Sequence, residues 1–124
     1  MLPHVDDWAD GRRAAAAHYE SAGLGELVAL PVAAPGSQPA WHLYVVRDER
    51  ADELAAGLEA AQIGARAYYR TPLHRQPAMA PFAAGAHLPA TDDLARTHLA
   101  IPISPLLSAD QAAQVVAAAR AALG

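Results

Sequence analysis

The chain has 124 residues, a formal net charge of −4 and no cysteine. That length gives one domain with room for a real core. The negative balance argues against a nucleic-acid binder, and the missing cysteine excludes disulfides and thiolate metal sites. Apolar residues make up 53% but aromatics only 6%, because alanine supplies much of the apolar content. Such a core packs thinly, since each buried methyl contributes little. All nine basic residues are arginine, so there is no lysine. The chain has no run of 18 apolar residues and no charged start leading into an apolar stretch. The expectation is therefore a cytoplasmic protein with no membrane span and no signal peptide.

Residues 4 to 20 predict a helix. Trp8, Arg12, Ala15 and Tyr19 recur at helical spacing, and Asp6, Asp7 and Asp10 sit near the start, where the helix dipole favours acids. Gly23 and Gly25 should stop it. Residues 31 to 40 carry three prolines, a glycine and a serine and predict a surface loop. Trp41 to Arg47 is aromatic and β-branched and predicts a strand. Residues 51 to 62 predict a second helix with Leu54, Leu58 and Ala61 on one face, ended by Gly64. Ala65 to Arg70 predicts a second strand. After Pro89 a short helix should carry Leu94, Ala95 and His98. Leu99 to Ile103 predicts a third strand, ended by Pro105. Ser108 with Gln111 forms a capping box, and the last helix turns Ala112, Val115, Val116, Ala119 and Leu123 inward.

The order α-β-α-β-α-β-α points to an α+β domain of the α/β-like small-domain type. It has a sheet of three or slightly more strands covered by helices on one face. Strand order stays open.

Most chemical motifs are absent. The six histidines form no His-x-x-x-His, so no metal site is expected. Gly23-Leu-Gly25 begins like a dinucleotide fingerprint, but a helix precedes it and position 28 is valine. No serine sits in Gly-x-Ser-x-Gly. Asp92 and Asp93 read as helix N-terminal acids.

The segment from Arg66 to Met79 stands apart. It gathers Arg66, Tyr68, Tyr69, Arg70, His74 and Arg75 into a loop stiffened by Pro72 and Pro77. Two readings stand. One is a structural turn with Tyr68 or Tyr69 in the core and the arginines solvated. The other is an anion-binding surface, with arginine forks for phosphate and tyrosine for a ring. Composition alone favours the turn.

The run Tyr69-Arg-Thr-Pro72-Leu-His74-Arg-Gln-Pro77-Ala resembles the Tyr-x-x-Pro-Leu-His-x-Gln-Pro-Ala run of the DegT/DnrJ/StrS-type sugar aminotransferases. These enzymes use pyridoxal phosphate on nucleotide sugars. The resemblance extends along nearly the whole chain. It includes Arg12-Arg13 with Tyr19, Trp41-His-Leu-Tyr-Val-Val, Leu54 through Gly64, Leu88-Pro89 through Leu99, Ile101-Pro102-Ile103-Ser-Pro105, and Leu107-Ser108 with the final helix. It implies the small C-terminal domain, residues 21–124, preceded by a remnant of the interdomain helix, residues 1–20. The large domain of these enzymes holds the cofactor and its Schiff-base lysine. The small domain closes over the cleft.

By that match Tyr69, Pro72 and His74 line the cleft, and Arg66, Tyr68, Arg70 and Arg75 join them as candidate substrate-binding residues. Many members have His-Tyr-Pro where this chain has Tyr68-Tyr69-Arg70. The version here is more similar to transaminases of thymidine-diphosphate keto-deoxysugars in antibiotic pathways. Without a lysine the chain cannot form the internal aldimine, so it implies no catalytic residue and no cofactor of its own. Three readings follow from the resemblance. They are an enzyme domain inactive alone, a stand-alone module for a phosphorylated ligand or partner subunit, and a non-functional remnant. The expected partners are a nucleotide-sugar ligand and a separate large-domain chain. Self-association is the further expectation, through the 4–20 helix with Trp8 and Tyr19.

Overall fold

The computed structural model describes residues 2–124. Four helices and two strands follow the order α1 (Val5–Ser21), β1 (Tyr44–Arg47), α2 (Ala51–Ala60), α3 (Pro89–Thr97), β2 (His98–Ile101) and α4 (Ala109–Leu123). The α+β class and the helix-covered sheet are as expected.

β1 and β2 pair antiparallel, with Tyr44 opposite Ile101 and Arg47 opposite His98. Two extended segments flank them through single bridges, Ala29 to Arg47 and Arg66 to Ala100. The lateral order is therefore residue 29, β1, β2, residue 66. The strand expected over 65–70 is reduced to that one bridge, in which Arg66 and Ala100 exchange hydrogen bonds of 2.9 and 2.8 Å. Beyond it the chain leaves the sheet to form the proline-bounded loop. β1 is shorter than expected because Trp41 takes a left-handed conformation with φ 45°, so regular pairing starts only at Tyr44. His98, expected on a helix, opens β2 instead, with α3 ending at Thr97.

Alternation along the strands divides the sheet cleanly. Tyr44, Val46, Leu99 and Ile101 point into the core, where they meet Leu54, Leu58, Ala112, Val115 and Val116. Helices α2 and α4 pack against each other, and α1 packs on α4. The α2–α4 approach is close at Gly57, where an added Cβ would lie 2.2 Å from the Ala122 side chain. Tyr19, expected to serve self-association, is fully buried and donates its hydroxyl to the Pro102 carbonyl at 2.6 Å. Its ring stacks on Tyr44 at 5.5 Å, and Trp41 meets Tyr44 edge-on at 5.3 Å. Alanine-rich helices leave space that these rings fill. Burial pushes the Tyr44 hydroxyl up to about 12, with Glu20 adding to the shift.

The helix ends show why the boundaries fall where they do. Gly23 takes φ 83° beyond α1, as expected. α2 ends earlier than Gly64, because Gln62 supplies the left-handed residue at φ 58°. The amide of Ile63 then bonds the Leu58 carbonyl at 2.8 Å, and that of Gln62 bonds Glu59 at 2.9 Å, a Schellman closure. At α4 the Ser108 hydroxyl accepts from the Gln111 amide at 3.2 Å, and the Gln111 side chain accepts from the Ser108 amide at 3.0 Å.

Candidate functional site

The other face of the sheet carries Val45, Arg47, His98 and Ala100. Helices α1, α2 and α4 pack on the opposite, core face. The 66–79 loop and α3 lie across this one, and this is where the six candidate residues fall. Pro72 and Pro77 fix φ on either side of a short 3-10 turn, Leu73–Arg75, and a second turn, Pro77–Met79, follows at once. The backbone of the loop is thus set by local sequence, and its side chains are then sorted by what each one meets.

Arg70 turns inward. Its guanidinium donates to the carbonyls of Ala95 and Arg96 at 3.1 and 2.7 Å, and to the Asp52 carboxylate at 2.7 Å. Those carbonyls belong to the last turn of α3, which leaves its final acceptors without intrahelical partners. Arg70 therefore ties the loop to α3 and α2. Arg75 makes a two-pronged pair with Asp92, Nε to Oδ1 and Nη2 to Oδ2, both at 2.6 Å. That fork holds the Asp92 carboxyl below the usual carboxylate range. The mostly buried His74 places Nε2 3.2 Å from the same carboxylate, though outside hydrogen-bond geometry.

Arg66, Tyr68 and Tyr69 remain turned to solvent. The Arg66 guanidinium lies 5.7 Å from the Tyr68 ring centre, and Tyr68 meets Tyr69 edge-on at 6.3 Å. Among the described residues no carboxylate pairs with Arg66, the one candidate arginine without such a partner. Arg66 and Tyr68 border a depression of about 320 Å³ shared with His42 and Ile103. On the other side of the tyrosines lies a larger apolar groove of about 720 Å³. Its floor is Val45 and His98, and its walls include Leu43, Leu73 and Leu94.

The structure thus splits the candidates into three groups: an exposed Arg66–Tyr68–Tyr69 cluster, an inward Arg70, and His74 with Arg75 gathered on Asp92. Asp92, which the sequence marks only as a helix-start acid, and Asp52 both take part in the site. They lie in first turns, of α3 and α2. Their second role depends on residues 17 and 18 positions away, which no local pattern reveals. The groove residues Leu43, Leu94 and His98 gave no functional signal either. No group of three or more metal-ligating side chains occurs among the described residues, nor does any helix long and apolar enough to cross a membrane.

The arrangement can recognise a ligand: one free guanidinium, two exposed phenol rings and an apolar trough lie side by side. The loop presents no nucleophile paired with a base.

Comparison with known proteins gives the family. The model of the DegT/DnrJ/EryC1/StrS aminotransferase family matches residues 1–120. The chain is 43% identical over 122 residues to dTDP-3-amino-3,4,6-trideoxy-alpha-D-glucose transaminase of Streptomyces venezuelae, covering 96% of this chain and 32% of that protein. The crystal structure of S. venezuelae DesV in complex with a ketimine intermediate matches with a TM-score of 0.88 at 42% identity, over 97% of this chain and 33% of that one. A DegT DnrJ EryC1 StrS aminotransferase from Brucella abortus matches with a TM-score of 0.89 at 31% identity, over 99% and 33%. The chain spans about a third of the length of the curated relatives it matches. It belongs to the DegT/DnrJ/EryC1/StrS aminotransferase family.

Proposed function

We propose that this chain is the small C-terminal domain of a nucleotide-sugar transaminase, with residues 1–20 corresponding to the helix that joins the two domains and 21–124 to the domain itself. The observation that carries the reading is the match to the S. venezuelae trideoxyglucose transaminase over 96% of the chain. The exposed apolar residues at and just before the start of α1, Leu2, Val5 and Trp8, support a helix built to meet further polypeptide.

The family depends on pyridoxal phosphate, which forms a Schiff base with a lysine. These 124 residues contain none, so they do not fit that cofactor, and no chemical step is assigned to them. Their part is recognition. Arg66 offers its fork to a diphosphate, and Tyr68 and Tyr69 offer ring faces and hydroxyls to the sugar or base. Arg70 and Arg75 hold the loop in shape instead of meeting the ligand, and His74 is fixed beside Asp92. The substrate class is a thymidine-diphosphate keto-deoxysugar of a deoxyaminosugar pathway, acted on together with a lysine-bearing large domain.

Calorimetric titration with a thymidine-diphosphate sugar tests this. Binding should be weak and salt-sensitive, and Arg66→Ala should weaken it while Arg120→Ala, on the distant α4, leaves it unchanged. Equal binding by the two variants would remove the role given to Arg66.

A further inference from the structure

His98 is 5% exposed, and its Nε2 has no hydrogen-bond partner. A buried polar atom left unpaired is uncommon and calls for a reason. The ring's other nitrogen settles what kind of atom it is. Nδ1 lies 2.7 Å from the Leu94 carbonyl, and a carbonyl can only accept, so Nδ1 carries the hydrogen. In the neutral ring Nε2 is then a bare acceptor.

His98 lies on the floor of the apolar groove. Apart from His98 itself, no acidic or basic residue lines it; Arg70 and Arg75 are committed elsewhere, and Arg66 lies against Tyr68 on the side of the smaller depression. A charged ligand would lose its hydration there without a counter-charge. Polar groups other than His98 are few, namely the tyrosines, Thr71, Gln76 and Thr91. The Gln76 amide nitrogen is already spent on the Thr71 carbonyl at 2.8 Å. The volume of about 720 Å³ falls within the range of small-molecule sites.

We infer that this groove is a binding site for a neutral, mostly apolar ring compound bearing one N–H or O–H donor. The ring lies between Leu43, Leu73 and Leu94, and the donor is accepted by His98 Nε2. The groove adjoins the Arg66 depression and shares Leu43 and Tyr68 with it, but its acceptor, His98, lines only the groove, so the inference stands whether or not a nucleotide sugar binds beside Arg66.

Indole and 1-methylindole are suitable probes, because they share a ring system and only indole can donate. In amide-detected NMR titrations of the intact chain, indole should shift Leu43, Val45 and Leu94, and move the His98 Nε2 resonance. From the ordinary net worth of one hydrogen bond, indole should bind roughly threefold to tenfold more tightly than 1-methylindole. His98→Leu should abolish that preference. Should that variant not fold, Leu94→Trp, on a half-exposed helix position, should block both probes without touching His98. Equal binding of the two probes by the unaltered chain would overturn the inference. So would shifts confined to other surfaces, no response up to the solubility of indole, or a histidine spectrum showing the hydrogen on Nε2.

Discussion

The two faces of the β1–β2 sheet are made by alternate residues of the same two strands, yet they are finished in different ways. On one face Tyr44, Val46, Leu99 and Ile101 close against three helices, and almost everything they touch is apolar and buried. On the other, Val45 and His98 look into a groove roofed by a loop whose Tyr69 and Leu73 are 76% and 70% exposed. The loop is held mainly by ion pairs and helix-end carbonyls, not by burial. The pleat thus puts the buried core on one side and the proposed recognition surface on the other. Residues two apart on a strand share a duty, and adjacent residues do not.

The sharpest way to break this comparison is to truncate a leucine on each side. Leu58 is fully buried on the helix side. Leu58→Ala should cost about 2–5 kcal/mol, whereas Leu73→Ala on the loop should change stability by less than about 0.5 kcal/mol. Denaturant melts of the two variants check this, and similar midpoints would mean that the division of labour is wrong. Next comes Gly57→Ala. With 2.2 Å between the new methyl and Ala122, α2 and α4 must move apart, at about 1–3 kcal/mol. A stabilised variant, as helix propensity alone would give, would show that the helix contact yields freely.

Smaller effects probe the loop's fastening. Arg70→Ala removes the donors to Ala95 and Arg96 and the pair with Asp52. With the guanidinium about one-third exposed, the cost is about 1 kcal/mol. Its distinctive sign should be faster amide exchange over 70–79 and at the end of α3, with α4 unaffected. The smallest effect is on pH. Asp92 has a lowered folded pKa, caused first by its hydrogen bonds from Arg75. A depressed carboxyl contributes above its unfolded value of about 3.9 and loses that contribution as pH falls through the folded value. The Arg75 guanidinium resonances should therefore hold steady through neutral pH and loosen only in acid. Asp92→Asn should give the loosened spectrum at every pH.

Much of the helix side is legible in the sequence because its signals are local. The Ser108–Gln111 box, the 3.6-residue apolar spacing of Leu54 and Leu58, and Gly23 beyond α1 each state an element within a few residues. The loop side is less legible because its contacts are long-range. The pairs Arg70–Asp52 and Arg75–Asp92 join segments separated by whole elements, and the acid partners already have a sufficient local explanation as helix-start residues. The expected strand over 65–70 fails past Arg66 for a related reason: its β-forming tyrosines face solvent, not a neighbouring strand. Tyr19 shows the converse. Its helical spacing is plain, but only the fold reveals that its hydroxyl has Pro102 to bond and that it is lost to any outer surface.

The most direct test of the account is to map where a thymidine-diphosphate sugar touches the intact chain, by amide and side-chain shifts during an NMR titration. Arg66, Tyr68 and Tyr69 should move first, with His42 close behind. Val115, Val116 and the rest of α4 should stay in place. Shifts centred on α4 or α2, with the tyrosines unmoved, would contradict it.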